Sequence, residues 1–358
     1  MNIGDIAEMA GVSRAAVSRY LNNGYISAEK SEKIRKVIER TGYKPSVMAQ
    51  TLRTKKTMLI GVVLPRINSD SISSIVAGIG TALNASGYEM LLATTDNNPE
   101  KELEFLRIFS NNRVDGVIFI ATVFTREHRK ILKNMSIPVV IVGQQLSGYS
   151  CIYHDDYGAG RALAEHVLAT GRKKLAYIGV LKEDVAVGQQ RFEGVLAAAA
   201  EAGIEIPPER TEIAEFSAES GHQCMRKILA ESPDIDAVIC ATDGIAIGAM
   251  QCLRETGRRV PDNVAVAGFG DNVISSVTTP TLTTVHLYYR EAGETAAKRI
   301  VERIDGKEKT TVEIKQGFKV MERGSTASDS HAEAARSAGA GIAETLGARD
   351  AGNTSFSK

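Results

Sequence analysis

The stretch AGVSRAAVSRYLNN, residues 10–23, sets Arg14 and Arg19 among small residues, on a run whose Val17 and Leu21 are spaced for one buried helix face. A solvated helix face normally mixes Glu, Lys and Gln. Here Arg14, Ala15, Ser18 and Arg19 point outward, two of them small and two cationic. Small side chains let a helix approach the floor of a DNA major groove. An arginine in the first turn can reach base edges and bond guanine O6 and N7 together. The chemistry on offer is groove reading, with no bond made or broken.

Three short helices are needed to present that face. The first starts at Asn2 as N-cap and runs through Ile3, Ile6, Ala7 and Met9 to Gly11. The second follows Ser13, which can cap its own helix, and continues to about Asn22. NNGYIS is a turn, and from about Ser27 a third helix carries an Ile34, Val37 and Ile38 stripe that ends at Gly42. Helix, tight Gly turn and helix is a helix-turn-helix layout. Charge agrees with it. Residues 1–58 hold 11 Lys and Arg against 5 acids, a surplus of +6 in a chain of net charge 0, so the remainder carries −6. A basic head on an acidic body points to a polyanionic partner for the head alone.

From Thr57 the pattern changes to short apolar runs alternating with helical stretches: LIGVVL (59–64), EMLLAT (89–94), DGVIFI (115–120) and PVVIVG (138–143). The theme restarts with a helix around 158–170, then KLAYIG (174–179), AVICAT (237–242) and VAVAGF (264–269). Near-continuous Val/Ile/Leu strands between helices imply parallel sheets covered on both faces. Two such blocks in tandem predict two α/β lobes with a cleft between them. Ligands bind outside the carboxyl ends of such strands, which selects the loops after residues 64, 94, 120, 143, 179, 242 and 269. Residues 325–358, rich in Ala, Gly and Ser, bury too little to offset ordering entropy and read as a disordered tail without Leu heptads.

The motifs DIAEMAGVSRAAVSRYLNN, TGYKPSVMAQTLRT, LIGVVLP, RFEGVLAA, CATDGIAIGAM and TPTLTTVH resemble the lactose-repressor (LacI/GalR) family of bacterial transcription regulators. The resemblance spans residues 1 to about 324. It implies a helix-turn-helix head (1–45), a hinge helix or linker (46–57) and a two-lobed effector-binding and dimerisation body like a periplasmic binding protein (58–324). It further implies that Arg14, Ala15 and Arg19 read bases while Ser13, Ser18 and Asn22 hold phosphates and backbone. In the hinge, Leu52 matches a minor-groove wedge, with Ala49 beside it and Arg53 supplying phosphate charge. The partners implied are a pseudo-palindromic double-stranded operator, a second copy of the chain and a small effector of the sugar type. NNGYIS and LTTVHLYY are most similar to sucrose- or disaccharide-responsive members.

The resemblance places the effector residues in the cleft. Arg191, in RFEG, matches an arginine that reaches the effector from the second lobe. Thr242 and Asp243 end a strand; Asp243 serves there equally well as a helix cap. Phe216 and Tyr153 offer rings either to a sugar face or to the core. Gly268-Phe269-Gly270-Asp271 departs from the family's G-[FY]-D-D run, so either Asp271 stands in for the carboxylate that glycine has replaced or that contact is absent. Gln144 follows Gly143 where other members carry an Asp, and Arg66, Asn68, Ser69 and Ser71 contribute from the first lobe. Such an amide-rich cleft suits a neutral polyol.

Other classes fit less well. GAGRALA from Gly158 is a poor dinucleotide fingerprint, the six histidines form no catalytic cluster, and no enzyme or cofactor is expected. Cys151, Cys224, Cys240 and Cys252 lack metal-site spacing and read as reduced thiols. A solute-binding protein of a sugar transport system would share the two lobes but not the basic head. The N-terminus shows no secretion leader and no apolar run reaches membrane-spanning length, so cytoplasmic localisation is expected. If Leu52 is the wedge, Leu52→Ala lowers operator affinity at least about tenfold in a fluorescence anisotropy titration and leaves ligand binding intact; unchanged operator affinity removes that role.

Overall fold

The computed structural model describes residues 1–22, 24–43, 56–111 and 114–327. The head is three helices: α1 (Ile3–Ala10), α2 (Arg14–Leu21) and α3 (Ala28–Thr41). Asn2 and Asp5 form a reciprocal capping box at the start of α1, and Gly11 closes it at φ 62°, in the left-handed region that costs glycine least. Ile6, Val17 and Ile34, all with no exposed surface, are the centre of this small core.

Among the described residues the body holds twelve strands in two six-stranded sheets. The first lobe contains β1 (Leu59–Leu64), β2 (Glu89–Thr94), β3 (Gly116–Ile120), β4 (Val139–Val142), β5 (Ser150–His154) and β11 (Glu313–Gln316), in the order β11-β5-β4-β3-β1-β2, all parallel. The second contains β6 (Leu175–Gly179), β7 (Thr211–Ile213), β8 (Ala237–Cys240), β9 (Ala265–Phe269), β10 (Thr283–Leu287) and β12 (Phe318–Met321), in the order β12-β10-β9-β8-β6-β7. Only β12 runs antiparallel. Helices cover both faces: α4 (Asp70–Ala85), α5 (Pro99–Asn111), α6 (Arg126–Asn134) and α11 (Tyr289–Ile304) on the first lobe, α7 (Asp156–Ala169), α8 (Arg191–Glu201), α9 (Ala218–Glu231) and α10 (Asp243–Glu255) on the second. In β1, Ile60, Val62 and Leu64 pack on one side while Val63 packs on the other with Phe119. That two-sided burial is why the strands are apolar without alternation.

Two expectations are corrected here. The lobes are not successive blocks. The chain leaves the first lobe near Asp155, returns near Tyr288 through α11 and β11, and crosses again at Gly317 to add β12 to the second. The strands that reveal this, β5, β11 and β12, are short or half-exposed and lack a strong apolar run. The second correction concerns the tail. The body does not stop at 324, because Ser325 and Thr326 are buried. Ser325 Oγ donates to the Val266 carbonyl at 2.5 Å, and Thr326 Oγ1 lies 2.7 Å from Thr283 Oγ1. Residues 328–358 lie outside the described residues.

The four helices of the first lobe include one unusually close pair. A Cβ at Gly78 of α4 would sit 2.0 Å from the Arg290 carbonyl oxygen, and one at Gly293 of α11 would sit 2.0 Å from that of Ile75. The two backbones touch, and only glycine fits. Gly293→Ala is expected to cost about 3 kcal/mol despite its better helix propensity, because rigid backbone on both sides must give way. Urea unfolding monitored by circular dichroism measures this, and a loss below about 1 kcal/mol would show that the pair can separate freely.

Candidate functional site

On α2, Ser13 Oγ accepts from the Ala16 N–H at 3.2 Å and fixes the start of the helix. Ala16 and Val17 are buried, while Arg14, Ala15, Arg19 and Asn22 are exposed and Ser18 is half-buried. The outward face is therefore the one its spacing predicts, with Asn22 Nδ2 donating to the Ser18 carbonyl. Charge pairing separates this helix from its neighbour. On α3, Lys33 pairs with Glu29 at 2.7 Å, and Arg35 is held between Glu32 (2.7 Å) and Glu39 (2.6 Å). Among the described residues, Arg14 and Arg19 make no ion pair, which leaves both cations of α2 to an anionic partner. Ala49, Leu52 and Arg53 lie outside the described residues.

The two sheets point strand carboxyl ends at a shared cleft of about 450 Å³. The first lobe lines it with Arg66, Asn68, Ser69, Asp70 and Ser71 after β1, and with Asp96 and Asn97 after β2. The second contributes Val187, Arg191, Phe216, Thr242, Phe269 and Asn272, and Tyr289 lies where the chain returns. Seven residues expected from the sequence thus meet: Arg66, Asn68, Ser69, Ser71, Arg191, Phe216 and Thr242. Arg66 reaches across, its Cζ 3.9 Å from the centroid of the Phe216 ring. Burial holds the Arg66 guanidinium below the usual arginine value, with Asp184 pulling the other way. The ring face expected to meet a sugar is covered by this cation, and Phe216 also packs on the second lobe's core.

Arg191 is almost completely buried. Its Nε donates to Asp156 Oδ1 and its Nη1 to the Ala241 carbonyl, each at 2.7 Å, while Nη2 reaches the Tyr289 hydroxyl at 3.4 Å. Burial opposes its charge, but Asp156 and then Tyr289 outweigh that and hold the guanidinium above its ordinary value.

The structure removes two expected residues from the cleft wall. Asp243 has no exposed surface: it accepts from Ser275 Oγ at 2.7 Å, the Asn272 N–H at 3.0 Å and Thr284 Oγ1 at 2.5 Å. Its oxygens are spent inside, and Thr242 does the capping, accepting from the Ile245 N–H at 3.3 Å. Asp271 likewise faces Arg323 (2.5 Å) and His286 (2.9 Å). Gly270 sits at φ 136°, a conformation a side chain at this position would strain. Gln144 and Tyr153 line a neighbouring cavity of about 330 Å³. There Gln144 Nε2 donates across the lobes to Asp184 Oδ1 at 2.9 Å, and Gln145 Nε2 donates to the Tyr153 hydroxyl at 2.8 Å.

Sequence reasoning missed Asp96, Asn97, Asn272, Tyr289 and the buried Asp184. Asp96 and Asn97 follow β2, a loop already selected by the strand-end rule, so that signal was present. Asp184 carries no motif, and Tyr289 is the last residue of LTTVHLYY; Tyr289 enters the cleft and Asp184 meets Gln144 only where the lobes come together.

A basic helix-turn-helix face joined to two lobes around a polar cleft defines a ligand-responsive DNA-binding protein. Comparison with known proteins agrees. Residues 2–46 match the family profile for bacterial regulatory proteins of the lacI family, and residues 164–326 match a periplasmic binding protein-like domain. The sucrose operon repressor of Staphylococcus xylosus is 32% identical over 323 residues, 88% of this chain and 99% of its own. The lac repressor dimer bound to operator and the anti-inducer ONPF superimposes with TM-score 0.85 at 25% identity, covering 92% of this chain and 99% of that one. The transcriptional regulator CelR in complex with cellobiose gives 0.71 at 28% identity, covering 91% and 99%. The chain belongs to the LacI family of bacterial regulatory proteins. It is a DNA-binding regulator of transcription and not an enzyme or a transport component. No helix among the described residues is long and apolar enough to cross a membrane.

Burial pushes the Asp184 carboxyl up to about 6, partly offset by the Val187 N–H, Arg191 and Gln144. A carboxyl raised on folding favours the native state while protonated, and that contribution is lost as pH rises through about 6. Asp184 Oδ1 accepts both from Gln144 and from Val187, so an asparagine retains both contacts. Asp184→Asn is therefore expected to be about 2 kcal/mol more stable than the unsubstituted protein at neutral pH and to flatten its stability loss between about pH 4 and pH 7. Urea titrations across that range check it; a less stable variant at neutral pH would show that the charge itself is needed.

Proposed function

We propose that this protein is a cytoplasmic homodimeric repressor whose operator affinity is set by a neutral sugar bound between its lobes. The observation that supports the sugar most is the balance of the cleft wall. Arg66 and Arg191 are matched by Asp70 and Asp96, and the remaining lining is hydroxyl, amide and aromatic apart from Val187 and two glycines. Arg191 is further neutralised by Asp156. A polyol needs paired donors and acceptors with apolar faces between them, not net charge. One relative is named for a sucrose operon and another forms a complex with cellobiose, and both sugars are neutral disaccharides.

Arg14, Ala15 and Arg19 read bases in the major groove, and Ser13, Ser18 and Asn22 hold its phosphates. Leu52, Ala49 and Arg53 act in the hinge, where paired copies wedge the minor groove. Arg66, Asn68, Ser69, Ser71, Arg191, Phe216 and Thr242 form the effector wall, with Gln144 and Tyr153 in the adjoining cavity. Dimerisation is supported by outward apolar residues: Val273 is 84% exposed, Val277 69% and Ile274 48% on the second lobe. Leu91 and Leu92 stand open on the edge strand β2 of the first. A two-fold dimer sets two recognition helices in successive major grooves. Effector shifts the operator affinity only by binding one lobe arrangement better than the other.

Calorimetric titration against sucrose, cellobiose, their monosaccharides, sugar phosphates and nucleobases, paired with operator selection from random DNA, tests the reading. Binding of a neutral sugar that changes operator affinity at least about tenfold supports it; a response confined to nucleobases or to phosphorylated sugars rejects the neutral-sugar effector. Val277→Asp is expected to convert a dimer into monomers in sedimentation at micromolar concentration.

A further inference from the structure

The chain enters the body through a clamp. The Thr57 N–H and hydroxyl donate to Asp115 Oδ1 at 2.8 and 3.0 Å, and the Met58 N–H donates to Asp115 Oδ2 at 2.9 Å. One residue earlier, Lys56 Nζ lies 2.7 Å from Asp305 Oδ1. Met58 is held at φ 57°, and its carbonyl accepts from the Glu89 N–H at 2.9 Å. A non-glycine residue stays in that region only when its surroundings over-determine it. Asp305, flanked by Lys307 and Lys56, keeps its carboxyl down to about 2 and so stays charged.

The two aspartates belong to elements that lead elsewhere. Asp115 stands at the foot of β3, in the middle of the first sheet. Asp305 is the C-cap of α11, whose first residue, Tyr289, lies in the cleft against Arg191 and His154. Sixteen residues of helix span about 24 Å. The backbone contact at Gly78 and Gly293 leaves α11 and α4 no room to approach or slide, and α4 also begins at the cleft, after Ser69. One continuous helix thus leads from Tyr289 at the cleft to Asp305, and Asp305 in turn holds Lys56.

We infer that Asp115 and Asp305 are positioning residues for the regulatory response, tying the root of the DNA-binding segment to β3 and to the far end of the cleft-lining helix α11. This rests on the reading that cleft and operator are coupled. Because coupling is reciprocal, it is visible from the DNA side without any effector.

The test uses the full chain, an operator duplex recovered by selection and a scrambled duplex, with anisotropy and hydrogen–deuterium exchange. In the unsubstituted protein the operator, and not the scrambled duplex, is expected to slow exchange over residues 289–304 at least about fivefold. In Asp115→Asn and Asp305→Asn the operator still binds and protects residues 1–43, but slowing over 289–304 falls below about twofold. Melting temperatures stay within about 3 °C of the unsubstituted protein, which separates lost coupling from lost folding. Variants that keep the full protection of α11, or an unsubstituted protein whose protection ends at the head, overturn the inference. If Asp115→Asn fails to fold, the surface pair Lys56–Asp305 still decides it through Asp305→Asn. Absence of any duplex binding is seen at the anisotropy step and removes the regulatory reading together with the clamp.

Discussion

Arg191 is buried at the point where the chain passes between lobes, and much of the body is arranged around keeping its charge satisfied. Its ion pair with Asp156 joins α8 to the first residue of α7, just after the first crossing. Its reach to Tyr289 joins the same side chain to the first residue of α11, just after the second crossing. Removing both ions from water is costly, and removing one partner alone would leave an uncompensated buried charge, a loss of about 3–5 kcal/mol. The guanidinium also lies 4.9 Å from the Phe269 ring centroid, at the end of β9. A rigid cation is thereby presented to the cleft by three elements at once, without a flexible side chain having to find its place.

Around that hub, the cleft contacts divide into fixed and separable ones. Asp156, Asp243 and Thr284 are internal and already hydrogen-bonded. Arg66 on Phe216 and Gln144 on Asp184 join residues from opposite lobes through one contact each. Contacts of the second kind can open without exposing a core, so a change in lobe spacing is cheap there and expensive elsewhere. The head follows a similar division: α3 pairs Lys33 and Arg35 with its own glutamates, and α2 leaves Arg14 and Arg19 for a partner.

Much of this was legible in the residues. The caps at Asn2 and Ser13, the glycines at 11 and 42 and the Val17 spacing place the three head helices to within a residue. The apolar runs locate seven of the strands, β1 to β4, β6, β8 and β9, and the rule that ligands sit at strand carboxyl ends leads to most of the cleft wall. What failed did so for identifiable reasons. Asp243 looks like a ligand group in ATDG, yet its oxygens are taken by Ser275 and Thr284, which are distant in sequence. Ser325 and Thr326 sit in a composition typical of tails, but two neighbours of β10 and β9 need their hydroxyls.

Local chemistry, then, was determined by the sequence alone: which segments are helix or strand, which helix face is bare and cationic, and which loops can meet a ligand. These follow from caps, periodicity and charge, whose effects extend only a few residues. The interleaving of the lobes through α11, β11 and β12, the burial of Arg191, and the clamp of Asp115 and Asp305 on residues 56–58 were decided only in three dimensions. Each depends on which groups are brought out of water together across 35 to 249 residues of chain, and a buried charge or carbonyl takes whatever partner the packed chain supplies there.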